Sequence, residues 1–234
     1  MVSPGNAEFP LSRKNVFLNR EFAGMAAEAD GLKNKGAFYI MKKTGIGGGH
    51  MKNVIHIFGA SGAGTTTLGR KIASELGYFF MDTDDYFWLP TDIPFTVKRP
   101  AEERLVLMKR DIDRADNVVL SGSLTEWGDV LMPLFTLAVR IETETSVRIE
   151  RLKARESARF ADRIREGGDM HKEHLQFLDW AAGYDDGDMS MRSKIHHDAW
   201  QERLSCPLLT LDGANDPEDN FSIVKSALYN GDNV

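Results

Sequence analysis

One glycine-rich turn limits what this chain can become more than any other feature. Residues 59–66 read Gly59-Ala60-Ser61-Gly62-Ala63-Gly64-Thr65-Thr66. The apolar run at 54–58 before it predicts a buried strand. After it, Leu68, Ile72 and Leu76 recur at i, i+4 and i+8, which predicts a helix over 66–76. Glycines between a strand and a helix let the backbone curl with its amides inward, so loop and helix N-terminus together can hold a phosphate. The eight loop residues and adjoining Thr67 are therefore the candidate phosphate contacts. The Thr66 hydroxyl is placed to bind Mg²⁺.

The loop departs from the usual pattern at one place. Lysine normally follows the second glycine of the spacing, and here that position is Thr65. A helix terminus contributes about 0.3–1 kcal/mol toward an anion, whereas losing a well-placed transition-state donor costs about 3–4 kcal/mol. Backbone amides alone do not replace that charge. Another cation must supply it, or the loop binds nucleotide without fast chemistry.

The rest of the chain alternates strands with helices. Short apolar runs at 78–81, 117–120, 137–141 and 208–211 predict four further strands. Helices are expected from Pro100 to about Ala115, from about Thr145, and from Asp216-Pro217 onward. This order predicts a three-layer α/β fold, a five-stranded parallel sheet with helices on both faces. Residues 86–99 hold Tyr86, Phe87, Trp88 and Phe95 among prolines and read as an aromatic loop. Residues 159–170 are polar and contain glycine, and read as a mobile loop.

The net charge of -6 argues against broad nucleic-acid or membrane-surface binding. No apolar run approaches a membrane span. The single cysteine, Cys206, cannot build a disulfide framework and fits a cytoplasmic protein; beside Pro207 it reads as a small apolar residue near the core.

Two side-chain constellations carry the chemistry. Asp82 and Asp84 follow the second strand, at the sheet edge where open α/β folds bind ligands. Carboxylates at i and i+2 can divide the two tasks of phosphoryl transfer, holding metal and orienting the attacking hydroxyl. Arg148, Arg151, Arg155 and Arg159 are spaced three, four and four, so a helix there aligns them in one stripe, with Arg163 and Arg165 just beyond. His171 and His174 near Asp169 read as surface histidines, and Arg192 as a further phosphate contact. Ser121-Gly122-Ser123 ends the third strand without an acid, which leaves the metal to Asp82 and Asp84.

Residues 58–85, FGASGAGTTTLGRKIASELGYFFMDTDD, resemble the N-terminal third of shikimate and gluconate kinases and the wider adenylate-kinase-like group. The similarity returns at 147–156, VRIERLKARE, like the helix leading into the adenylate kinase lid, and at Leu211-Asp212-Gly213, like the loop beside adenine. It covers about half of the chain after Met51. Bacterial phosphoribulokinases have a similar Gly-Ala-Gly-Thr loop and are active kinases. The resemblance implies a P-loop NTPase fold and a cytoplasmic ATP- and Mg²⁺-dependent phosphotransferase with a small arginine-rich lid at 156–170. It makes Asp82 the metal-side acid and Asp84 the acceptor-side acid or base. It packs Arg151 on adenine beside Asp212 and Gly213, brings Arg155 to the phosphates, and places Arg159 and Arg163 in the lid. The implied partner is a small-molecule acceptor, either a nucleoside monophosphate or a hydroxylated metabolite, with no nucleic acid or membrane and a monomer or homodimer. The rival reading is a non-enzymatic nucleotide-binding regulatory module with a degenerate loop.

Residues 1–50 show little periodicity. Gly47-Gly48-Gly49 shortly before Met51 implies purine-rich RNA upstream of a Met codon, as a translated ribosome-binding site would give. Met51 is therefore the expected natural start. Residues 1–50 are expected to be a disordered or non-native extension, and 51–234 the kinase domain.

Overall fold

The computed structural model describes residues 52–230; the expectation for residues 1–50 lies outside them. Five strands form one parallel sheet in the order β2-β3-β1-β4-β5: β1 (Val54–Gly59), β2 (Phe79–Asp82), β3 (Val118–Ser121), β4 (Leu137–Glu142) and β5 (Leu208–Asp212). The second and third strands sit one residue later than their apolar runs suggest, within the usual blur of strand ends. The helices are α1 (Thr65–Leu76), α2 (Thr83–Phe87), α3 (Ala101–Arg114), α4 (Thr145–Phe160), α5 (His171–Ala182), α6 (Lys194–Gln201) and α7 (Pro217–Asn230). None of the described helices is long and apolar enough to cross a membrane.

The period of two along β1 builds a core on each face. Val54 and Phe58 face Met108 and Ile112 of α3 and Trp200 of α6. Ile55 and Ile57 face Leu68 and Ile72 of α1 and Phe221 and Val224 of α7. Ile55, Ile57, Ile72 and Val139 are fully enclosed, worth about 1.5–3 kcal/mol each. Cys206 packs against the first of these cores, as its sequence context predicts, and burial raises its thiol pKa. Helix α1 stops at Gly77, whose φ of 70° suits a residue without Cβ.

Two segments differ from the sequence reading. The acids after β2 open a short helix that the sequence reading does not predict: Asp82 caps α2, its Oδ1 accepting from the Asp84 amide at 3.1 Å. Residues 159–170, read as a polar loop, are not a loop throughout. Helix α4 runs to Phe160, a 3₁₀ turn covers Ala161–Ile164, and Phe160, Ile164 and Met170 bury one another with Ile93. The stabilising partner comes from the aromatic loop, some seventy residues earlier. A local polar pattern cannot reveal it.

Candidate phosphoryl-transfer site

β1 lies in the middle of the sheet, with β3 on one side and β4 on the other. At such a reversal the connections leave in opposite directions and open a crevice at the carboxyl ends. The loop 59–66 fills that crevice. Gly62 has a φ of 81°, and a Cβ there would meet the Arg148 carbonyl at 2.7 Å. Gly64, at φ 109°, precedes α1 with no side-chain cap, and the first turn of α1 has no acid. The first amides of α1 have no intrahelical acceptor. An uncapped, acid-free helix start behind a glycine loop is an anion site.

A cleft of about 1160 Å³ opens over this loop, larger than a single small-ligand pocket needs. It is lined by Gly59, Ala60, Ser61, Gly62, Ala63, Gly64, Thr65, Thr66 and Thr67, together with Asp82, Asp84, Arg151, Arg155, Arg159, Arg192 and Gly213. Sequence-distant candidates thus converge on one space. The Thr66 hydroxyl donates to Asp82 Oδ2 at 3.3 Å. Burial, and then the Asp84 charge, raise the Asp82 pKa. A hydroxyl and a carboxylate that gains from a nearby positive charge fit the demands of Mg²⁺, which takes one or two protein oxygens and leaves the rest to phosphate and water. Asp84 is exposed at the cleft.

The arginines separate. Arg148 is fully buried and does not belong to the stripe; it donates to the Thr143 carbonyl at 3.1 Å, the Ser61 carbonyl at 3.3 Å and the Ala181 carbonyl at 3.0 Å, and pairs with Asp185 at 3.1 Å. It braces the loop from behind. Arg151 donates to the Gly213 carbonyl at 3.0 Å. Asp212 lies outside the cleft lining; its Oδ1 accepts from the Ala214 amide at 2.8 Å and shapes the turn that presents Gly213. Arg155 pairs with Glu156 at 3.3 Å, and Arg159 lies over Phe95. Arg163 is outside the lining, paired with Asp169 at 2.7 Å and donating to the Asp92 carbonyl at 3.0 Å. The physical reason is the break at Ala161, where φ is 48°: beyond Phe160 the helical register that would carry the stripe to Arg163 is gone.

Away from the phosphate loop, Phe87, Trp88, Phe95 and Trp127 line the cleft in a run of edge-to-face contacts. The loop carrying three of them closes on itself through Leu89–Val97 and Arg99–Phe87 backbone bonds, both 2.8 Å. Phe95 and Glu126 both line this part with positive φ, 63° and 73°, a conformation that non-glycine residues hold only under constraint. The sequence singled out Phe87, Trp88 and Phe95 but gave no sign of Trp127 or Glu126. His171 Nδ1 donates to the Ile164 carbonyl at 2.9 Å, and His174 lies 4.0 Å from Glu156. Among the described residues no three His, Cys, Asp or Glu gather as a metal cluster. Behind the site, His197 is buried between Ser123 Oγ at 3.0 Å and the Tyr184 hydroxyl at 2.7 Å, a link visible in sequence only as the inward side of amphipathic α6.

No family model matches the chain. It is 40% identical over 162 residues to the uncharacterized protein YqaC of Bacillus subtilis (strain 168), covering 69% of this chain and 89% of that protein. A shorter stretch of 36 residues is 50% identical to shikimate kinase 2 of Photorhabdus laumondii, 15% of this chain and 21% of that enzyme. Among solved structures, shikimate kinase from Bacteroides thetaiotaomicron superposes with a TM-score of 0.48 at 18% identity, covering 76% of this chain and 98% of that one. Deoxyadenosine kinase from M. mycoides gives 0.43 at 15%, covering 76% and 99%. With its P-loop on the central strand of a β2-β3-β1-β4-β5 parallel sheet, the chain has the P-loop kinase fold and belongs to the family of the Bacillus subtilis protein YqaC.

Proposed function

We propose that this protein is a small-molecule kinase that transfers the γ-phosphoryl group of ATP to an acceptor hydroxyl or phosphate. The observation that carries the reading is the Thr66–Asp82 pair at 3.3 Å, set at the mouth of the uncapped helix, with Asp84 two residues on in the same cleft. In this reading the loop amides and the start of α1 hold the ATP phosphates. Thr66 and Asp82 hold Mg²⁺, which when bound neutralises charge on the β- and γ-phosphates. Asp84 orients the acceptor hydroxyl and takes its proton. Arg151 and Gly213 form the ledge for adenine, and Arg155 and Arg159 border the cleft from α4. The acceptor, a nucleoside monophosphate or a hydroxylated metabolite, lies against the aromatic wall. The setting is the cytoplasm, with the protein acting as monomer or homodimer.

The rival, a nucleotide sensor without chemistry, is disfavoured because a guanidinium does approach the loop: Arg192 reaches Ser61. The deciding experiment is a screen of nucleoside monophosphates and hydroxylated metabolites with labelled ATP and Mg²⁺. Transfer of label to one acceptor class is the expected result. Nucleotide binding with no transfer to any of them would favour the sensor.

A further inference from the structure

Six cationic side chains line the cleft: Arg70, Lys98, Arg151, Arg155, Arg159 and Arg192. Five have other engagements. Arg70 lies over Phe80 at 5.5 Å and Lys98 over Phe87 at 5.8 Å. Arg151 holds the Gly213 carbonyl, Arg155 pairs with Glu156, and Arg159 lies between Phe95 and Phe160. Arg192 differs in four respects. Its Nη2 donates to Ser61 Oγ at 2.6 Å, directly on the phosphate loop. Its Nε is fully enclosed and has no hydrogen-bond partner. The Trp180 ring supports the guanidinium at 4.6 Å. The Asp84 carboxylate is close enough to favour its charge against the burial that opposes it.

The backbone holding Arg192 is fixed. Ser193 caps α6 by accepting from the His196 amide at 3.2 Å, and its hydroxyl donates to the Asp188 carbonyl at 2.7 Å. The Lys194 amide donates to the Tyr184 carbonyl at 2.8 Å. Arg192 therefore sits on a pinned turn, whereas Arg155 and Arg159 project from an exposed face of α4.

We propose that Arg192 is the catalytic cation that takes the place of the missing loop lysine and contacts the phosphoryl group in transit. The geometry supports this directly. The guanidinium bonds Ser61 on the donor loop, and it lines the same cleft as Asp84, the acid proposed for the acceptor side. A planar fork with an unused buried donor is suited to two phosphate oxygens at once. A buried donor without a partner is unfavourable until an oxygen arrives to accept from it. The inference rests on the kinase reading above, and it moves the compensating charge from Arg155 to Arg192.

The test compares binding of ATP·Mg and ADP·Mg by calorimetry in the full chain, with melting temperature as a folding control. Wild type is expected to prefer ATP. Arg192→Gln, which still offers a donor to Ser61, is expected to bind ATP at least tenfold more weakly while ADP affinity shifts by less than about threefold. Adding Thr65→Lys to Arg192→Gln should restore part of the ATP preference, which a merely structural role for Arg192 would not allow. A second measurement uses the intact side chain. ATP·Mg, but not ADP·Mg, should change the Trp180 emission as the guanidinium turns toward the γ-phosphate, and Trp180→Phe should remove that change. If wild type binds neither nucleotide, the kinase reading itself fails. If wild type prefers ATP and Arg192→Gln keeps the full preference, or if ATP leaves Trp180 emission unmoved, Arg192 is not the cation.

Discussion

The Thr66 hydroxyl and the Asp82 carboxylate meet at 3.3 Å across the gap between the start of α1 and the end of β2. Asp82 is partly buried beside Asp84, and both facts raise its pKa. The sign follows from linkage. A group whose folded pKa is raised stabilises the fold below its unfolded pKa and loses that contribution as pH rises through the folded value. Once ionised, Asp82 is therefore a strain on the protein that a bound cation relieves. Asp82→Asn keeps the cap on α2, since asparagine caps as well as aspartate. It should raise the melting temperature by about 2–4 °C for each kcal/mol relieved and abolish the Mg²⁺ dependence of nucleotide binding. Mg²⁺ affinity in wild type should weaken as pH falls toward the raised pKa. A melting temperature that drops in Asp82→Asn would contradict this account.

Asp84 contributes differently, because its side chain is exposed and only its amide serves the cap on α2. Asp84→Asn should lower the turnover number by about 10²-fold or more, the scale of lost acid–base and positioning help. ATP affinity should change little. Steady-state kinetics with the acceptor found in the screen separates the two, and an unchanged turnover number removes Asp84 from the mechanism.

The strand–glycine–helix pattern led to the loop, the sheet and the acids, because local periodicity and turn chemistry act over ten or twenty residues. The pattern placed Arg148 in a stripe of four, yet its donors reach Ser61, Ala181 and Asp185. Helical spacing says which residues share a face, not what that face meets. Arg192 is 131 positions from Ser61, so nothing local joins them. The one clue in the sequence is the capping Ser193 beside it, which fixes a helix start and with it the direction of the preceding residue.

Residues 159–170 and the aromatic loop are joined at three places. Ile93 packs with Phe160, Ile164 and Met170; Arg163 donates to the Asp92 carbonyl at 3.0 Å; and Arg159 lies over Phe95 at 5.7 Å. A segment that borders the cleft is thereby tied to the wall proposed for the acceptor. Ile93→Ala loosens that tie without touching the phosphate loop. The apparent KM for acceptor should rise severalfold, with ATP affinity in the absence of acceptor within about twofold of wild type. Equal loss of both would mean that the tie is only a matter of stability.

His56 stands in the centre of β1, fully buried, stacked on Phe58 and Phe135 and edge-on to Trp200. Neither ring nitrogen has a hydrogen-bond partner; a Leu120 backbone group lies close but only partly offsets the burial, which pushes the pKa down to about 3. His197 is also enclosed and pushed down to about 2, by burial first and then by the Arg192 and Arg140 charges. For a histidine with a depressed folded pKa, the contribution to stability is complete above the unfolded pKa and is lost as pH falls through the window down to the folded value. Each histidine should then remove about 2 kcal/mol between pH 6.5 and pH 5, since one unit of pKa difference corresponds to ~1.4 kcal/mol. His56→Phe places a ring of similar shape in the same aromatic stack and has nothing to protonate. Melting curves from pH 7.5 to pH 5 should fall steeply for wild type and about half as steeply for His56→Phe. His56→Phe should also be more stable at neutral pH, where it removes two unpartnered polar atoms from the core. Parallel slopes for the two proteins would show that His56 finds a proton acceptor in the folded state and that acid lability arises elsewhere.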